Sequence, residues 1–252
     1  MSLRALHQVT ESLCQVVDVL AASFPPPATV KQGNGFVERH APKERTNGLA
    51  AYLKAVKICS TLNAALALLD RGFVQEAYAL GRVAQEQAED IQFLVIPRGE
   101  NSQLNALQTR AQDEFFQEEF ADPADPIGTS QERDRIPRQK IRAAIHQDIE
   151  DPSRAGAITK ALNRVFSGYI HGAYVHVMEL HSDTPGRYCL RGDQRHHLTE
   201  ALDYFPHFIF AGALAIELLV RRTPGCDKFM PRIKGLRRGI GVKFGLLPET
   251  NT

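Results

Sequence analysis

Two side chains that could handle a phosphate ester and a proton, Arg164 and His171, stand seven residues apart. A histidine exchanges protons near neutral pH, and an arginine grips a phosphate through a planar fork of donors. In a helix, seven residues make nearly two turns. Both side chains then fall on one side, with Cα atoms about 10 Å apart along the axis. Gly168 lies between them and leaves room for a ligand or a second backbone. The same residues also permit a structural reading, in which Arg164 and His171 join Arg82 and Glu86 in a buried polar network. Arg82, Glu86 and Tyr174 are the candidate supporting residues for either role.

Metal chemistry finds less support. His171, His176 and His181 repeat every five residues, which turns each by about 140° around a helix, so they point in different directions. His176 neighbours Glu179, and Glu86, Glu89 and Asp90 share a side of an earlier helix, but the Glu-x-x-His order of bundle metal sites is absent. Neither a metal nor a cofactor is expected. The four cysteines, Cys14, Cys59, Cys189 and Cys226, form no CxxC pair and read as scattered reduced thiols. No nucleophile-elbow sequence or phosphate-loop glycine pattern occurs. His196-His197 reads as a solvated pair, and Arg191-Gly192-Asp193 as a turn and helix cap.

A basic end follows Cys226. Lys228, Arg232, Lys234, Arg237, Arg238 and Lys243 face only Asp227 and Glu249. Such a segment could grip RNA or DNA phosphates without reading sequence, or be a solvated arm. Pro231, Gly235, Gly239, Gly241 and Gly245 argue against a regular helix there.

The elements that would position these residues read as helices. The first runs from about Ser2 to Ser23, with Leu6, Val9, Leu13, Val16, Val17 and Leu20 near one side, and Pro25 to Pro27 stop it. A second starts near Thr46 and ends at Gly72. A third spans about Phe73 to Ile96, and the short link suggests a helical hairpin. A fourth covers about Asn101 to Phe120 and a fifth about Gln131 to Ile149. Asp151-Pro152, a cap and a first-turn proline, opens a sixth that runs to about Leu180. The seventh runs from about Asp193 to Arg222. No stretch alternates convincingly as a strand. The expected fold is all-α: a helical bundle of about seven helices, centred on the second, third, sixth and seventh, with a basic C-terminal tail. The expected segments are 1–44 (helix and Pro/Gly loop), 45–225 (bundle) and 226–252 (tail).

Two of these helices carry two apolar sides. The third places Ala77, Leu80, Ala84, Ala88, Ile91 and Val95 on one stripe, with Tyr78, Arg82, Glu86 and Phe93 opposite. The sixth places Leu162, Phe166, Tyr169, Ala173, Val177 and Leu180 on one stripe. Arg164, Gly168, His171, Tyr174, Val175 and Met178 lie opposite. A helix apolar on both faces is central in a bundle or sits at an oligomer interface. A homodimer burying the second face of the sixth helix is the expectation.

The net charge of +1 excludes a global pull toward nucleic acid or membrane. The most apolar stretch, Phe208 to Ile216, is about half the ~20 residues that span a bilayer. With no secretory signal visible, a cytoplasmic protein without a membrane partner is expected.

The octapeptide Arg164-Val165-Phe166-Ser167-Gly168-Tyr169-Ile170-His171 resembles the Arg-x6-His motif of HEPN-domain proteins, helical-bundle RNases and toxins that are often dimeric. Arg82-Val83-Ala84-Gln85-Glu86 and Ser167-Gly168-Tyr169-Ile170-His171-Gly172 resemble the DUF5677-type branch of bacterial helical proteins. The resemblance covers about Leu49 to Leu180. It implies a protein that binds and cleaves RNA without metal, in bacterial defence or a toxin system. His171 would move a proton at a ribose 2′-hydroxyl or leaving oxygen, and Arg164 would steady the phosphate charge. Without that chemistry, the residues leave a non-catalytic helical interaction or dimerisation protein.

Overall fold

The computed structural model describes residues 2–32, 35–97, 99–117, 125, 127–128, 135–147, 151–182, 187–192, 194 and 197–248. Nine α-helices and one two-stranded sheet form among them, so the chain is an all-α protein.

Helix α1 (Leu3–Leu20) starts on Ser2, whose hydroxyl accepts from the Ala5 amide, and buries Leu6, Leu13, Val16, Val17 and Leu20. Strands β1 (Ala28–Gln32) and β2 (Gly35–Arg39) then pair antiparallel, Val30 opposite Val37. No strand was expected there. Its residues are mostly exposed on both sides, so no burial imposes the apolar alternation by which strands are recognised.

Helix α2 (Asn47–Asp70) is capped by the Thr46 hydroxyl and stops at Gly72, whose φ of 76° suits a residue without Cβ. Helix α3 (Val74–Leu94) folds back on it as the hairpin. Helices α4 (Ser102–Phe116) and α5 (Arg138–His146) follow; the expected ends of the fourth and fifth helices, at 118–120, 131–134 and 148–150, lie outside the described residues. Helix α6 (Pro152–His171) opens as expected on Asp151, whose carboxylate accepts from the Arg154 amide at 2.9 Å. It ends two turns and more before Leu180, and a separate short helix α7 (Tyr174–Met178) follows. Helix α8 (Leu198–Arg222) closes the core; Asp193 and His196 lie outside the described residues.

The irregular basic tail is corrected to a helix. After one 3-10 turn, α9 (Met230–Lys243) buries Ile233 and Ile240 against α8 and α1. Pro231 falls in the first turn, where its missing N–H costs nothing. Buried apolar contacts outweigh the weak helix propensity of the glycines, each near 1 kcal/mol.

One core draws on α1, α2, α3, α8 and α9, hence on all three expected segments. Helix α6 adds only Phe166 to the buried part of this core, so it flanks the bundle rather than centring it. A smaller cluster of Phe93, Leu104, Ile136 and Ile141 ties α4 and α5 to α3. Helices α2 and α8 are long and apolar enough to cross a membrane by length and composition; here they are the two long helices of the core.

Candidate functional site

Arg164 and His171 do share one continuous helix. Both side chains are exposed, and neither forms a hydrogen bond or ion pair with a described residue. The inward side of α6 is built from Thr159, Asn163, Phe166, Gly168 and Tyr169. Helix α6 holds Arg154, Lys160 and Arg164 at its surface and has no carboxylate between Pro152 and His171.

The helix ends at Gly172, which takes a φ of +60° while the Ala173 amide donates back to the Gly168 carbonyl at 2.9 Å. The chain then reverses, and His176 of α7 lies over Gly168. A Cβ on Gly168 would come within 2.3 Å of the imidazole. The space at Gly168 therefore receives this chain's own ring, not a ligand. The His176 ring meets Tyr169 edge-on at 4.1 Å, and Gln75 donates to the His176 carbonyl and, at 3.4 Å, to Glu179. Burial, then the Glu179 carboxylate, pushes the Tyr169 hydroxyl well above the ordinary tyrosine range.

This turn leaves apolar side chains in solvent. Ile158, Leu162 and Val165 on α6 and Val175 and Met178 on α7 are exposed, Val175 at 63%. Tyr174 is 78% exposed and hydrogen bonds to no described residue, so it does not join Arg82 and Glu86.

Those two residues do pair. The Arg82 guanidinium donates to Glu86 at 2.5 Å and to the side-chain carbonyl of Asn163, the buried residue beside Arg164. The pair opens a larger array along α3. Arg138 of α5 donates to Asp90, to the Glu86 carbonyl at 2.8 Å and to Glu89 at 3.2 Å. Arg142 donates to Glu89 at 3.1 Å, and Lys54 of α2 to Asp90 at 2.7 Å. Four cations thus meet three carboxylates. Burial alone would lower the Arg138 pKa, but Asp90 and Glu89 outweigh it and hold it above its ordinary value. A cavity of about 440 Å³ opens beside this array, lined by Lys54, Glu86, Asp90, Glu114, Phe115 and Arg138 among others. Arg164 and His171 are not among its lining residues. No group of three His, Cys, Asp or Glu side chains placed to hold a metal occurs among the described residues.

The basic residues of the C-terminal part divide. Arg237 is spent on the buried Glu217 at 2.5 Å, and Arg232 donates to Gln15. Lys228, Lys234, Arg238 and Lys243 are exposed, Lys234 and Arg238 on the rim of a shallow pocket with Arg237 and Leu247.

Sequence reasoning missed Asn163, Arg138 and Arg142, because their partners lie tens of residues away. It also missed Gln194, which is buried and whose side-chain carbonyl accepts from the Val74 amide at 3.1 Å, at the open start of α3. The missed signal was the lack of any capping side chain on Phe73 itself.

Fold and site together define an all-α protein with an exposed Arg/His face on one helix and a charged array on another. Comparisons with family models, with curated proteins and with solved structures found no match.

Proposed function

We propose that the chain is a HEPN-like helical protein that binds RNA and cleaves it without metal, as a homodimer. The observation that carries this reading is the α6 face itself: Arg164 and His171 stand free and exposed on a helix with three exposed cations and no carboxylate. That charge sign suits a phosphate backbone. The exposed Val165, Val175 and Met178 supply the reason for a second copy, since such a strip in water favours a cover. Two α6 faces brought together would enclose an anion between them. The exposed cations of the C-terminal part, Lys228 in the 3-10 turn and Lys234, Arg238 and Lys243 on α9, would add contacts that read no sequence.

The test is metal-free cleavage of varied RNAs in the presence of a chelator, with Arg164→Ala and His171→Ala as controls. The expected result is cutting by the wild type and loss in both variants with the fold intact. An inert wild type overturns it.

A second reading, a non-catalytic interaction protein, has its own support. Val165 occupies the position after the arginine where HEPN nucleases usually carry a polar residue, and it is exposed among apolar neighbours. Association of the protein with itself, unaffected by Arg164→Ala and without RNA cleavage, would favour it.

A further inference from the structure

We propose that the cavity beside the charged array binds an α-amino acid with an apolar side chain, held between Glu114 and Arg135. Arg164 and His171 do not line it, so the site stands whether or not the chain cleaves RNA. The cavity lies where α2, α3, α4 and α5 come together. Its volume of about 440 Å³ falls within the ~300–1,000 Å³ of small-molecule sites.

The charges that line it sort into two sets. The first is satisfied from within. Lys54 donates to Asp90 at 2.7 Å and to Gln87 at 3.2 Å, and Arg138 donates to Asp90, to Glu89 and to the Glu86 carbonyl. The Lys54 ammonium also lies 4.9 Å from the centre of the Phe115 ring, which fixes that ring as part of the wall. The second set is left over. Glu114 is half-buried; one of its oxygens accepts from the Ile136 amide at 3.0 Å, and its carboxylate pairs with no cation among the described residues. Arg135 is exposed and forms no hydrogen bond or ion pair with a described residue. One carboxylate and one guanidinium therefore line a single cavity without meeting. They are neighbours all the same, because Glu114 holds the amide of the residue that follows Arg135.

Charge then selects the ligand. Among the lining residues Lys54, Arg135 and Arg138 balance Glu86, Asp90 and Glu114. A phosphate would meet three carboxylates and a metal ion three cations, so neither gains a net attraction. A zwitterion answers both unpaired groups at once. Its carboxylate takes two parallel hydrogen bonds from the Arg135 guanidinium. Its ammonium donates to the free oxygen of Glu114 and to the second oxygen of Glu86, whose first oxygen accepts from Arg82. The closeness of Glu114 and Arg135 favours a molecule that carries both groups on one carbon. The remaining wall includes Leu94, Ala111, Phe115 and Ile136, which suits an apolar side chain over a charged one.

The experiment is calorimetry on the full-length protein with L-valine, L-leucine and L-phenylalanine as probes. At least one should bind with a Kd below about 1 mM. The matching acid without the ammonium (isocaproate for leucine) and the matching amine without the carboxylate (isoamylamine) should each bind at least tenfold more weakly. This comparison needs no variant to fold. Glu114→Gln keeps the acceptor for the Ile136 amide and removes the charge, while Arg135→Gln changes an exposed side chain that bonds to no described residue. Each should weaken amino-acid binding at least tenfold with the fold intact. Glu114→Gln should also abolish the advantage of the amino acid over the acid, and Arg135→Gln its advantage over the amine. A merely structural role for either residue would leave those ratios unchanged. No binding by any of the three amino acids at about ten times that concentration means that the cavity holds water alone, and it overturns the site. Equal binding of amino acid, acid and amine overturns it as well, as does unchanged affinity in either variant.

Discussion

Helices α3 and α6 carry similar sequence patterns, with apolar residues on two sides and a charged pair on the second side, yet the chain treats them differently. On α3 the second side is covered from within. Tyr78 and Phe93 are buried, and Arg82, Glu86, Glu89 and Asp90 are all bonded, chiefly to α2, α5 and α6. On α6 the second side stays open, with Val165 and Ile170 in solvent beside Arg164 and His171. Periodicity says only that a face wants a partner. Whether the chain supplies that partner depends on which segments return to the face, and for α6 none of the described ones does.

This contrast can be broken most forcefully at Glu89, which is 6% exposed and accepts from both Arg138 and Arg142. Replacing Glu89→Ala leaves two partly buried cations short of their carboxylate. We expect a loss of about 3 kcal/mol, as for other broken buried pairs, with loosening of α5, read by urea unfolding and by hydrogen exchange at Ile141. A change below about 0.5 kcal/mol would mean that the array is a solvated surface feature after all.

A smaller effect is expected at the bend between α6 and α7. Gly168→Ala would drive a methyl group into the His176 ring, whereas Gly156→Ala on the same helix meets nothing within 4 Å. The first should destabilise by about 1–3 kcal/mol, and the second should be neutral or stabilise by about 0.4–1 kcal/mol. Thermal melts of the two variants side by side decide it; equal shifts would remove His176 from the explanation.

The open face should respond in association and not in folding. Val175→Asp places a charge on a residue 63% exposed, so folding stability should move by no more than about 0.5 kcal/mol. Self-association should weaken at least tenfold by sedimentation equilibrium. A wild type that stays monomeric at micromolar concentration would refute the dimer. Least of all should Arg164→Ala change stability, again within about 0.5 kcal/mol, because its guanidinium is exposed and bonds to no described residue. A large loss of stability there would show that α6 hides a contact.

Much of the helical frame was legible in the chain. Thr46, Asp151-Pro152 and Gly72 mark helix ends through local chemistry, a side-chain cap or a left-handed backbone, that needs no tertiary information. The break after His171 carried a local sign as well, Gly172, but apolar periodicity continuing through Val177 and Leu180 masked it. The C-terminal helix went unread for the opposite reason. Its glycines and proline lower local propensity, and only burial of Ile233 and Ile240 against α8 and α1 restores the helix. Arg82 and Glu86 could be paired from sequence because four residues bring them together on one helix. Asn163, Arg138 and Arg142 could not be paired with anything, because their partners are set by which helices meet.

The sequence by itself determined where most helices start, which residues seek burial and that Arg164 and His171 lie on one side of one helix, since those follow from caps and a 3.6-residue period. Only the tertiary structure decided that α3 is enclosed and α6 is not, that His176 fills the gap at Gly168, and that Arg138 and Arg142 meet Glu89. Packing between distant segments has no signature within either segment. It is selected by the shared free energy of burying both, which belongs to the assembled core and to no single stretch of chain.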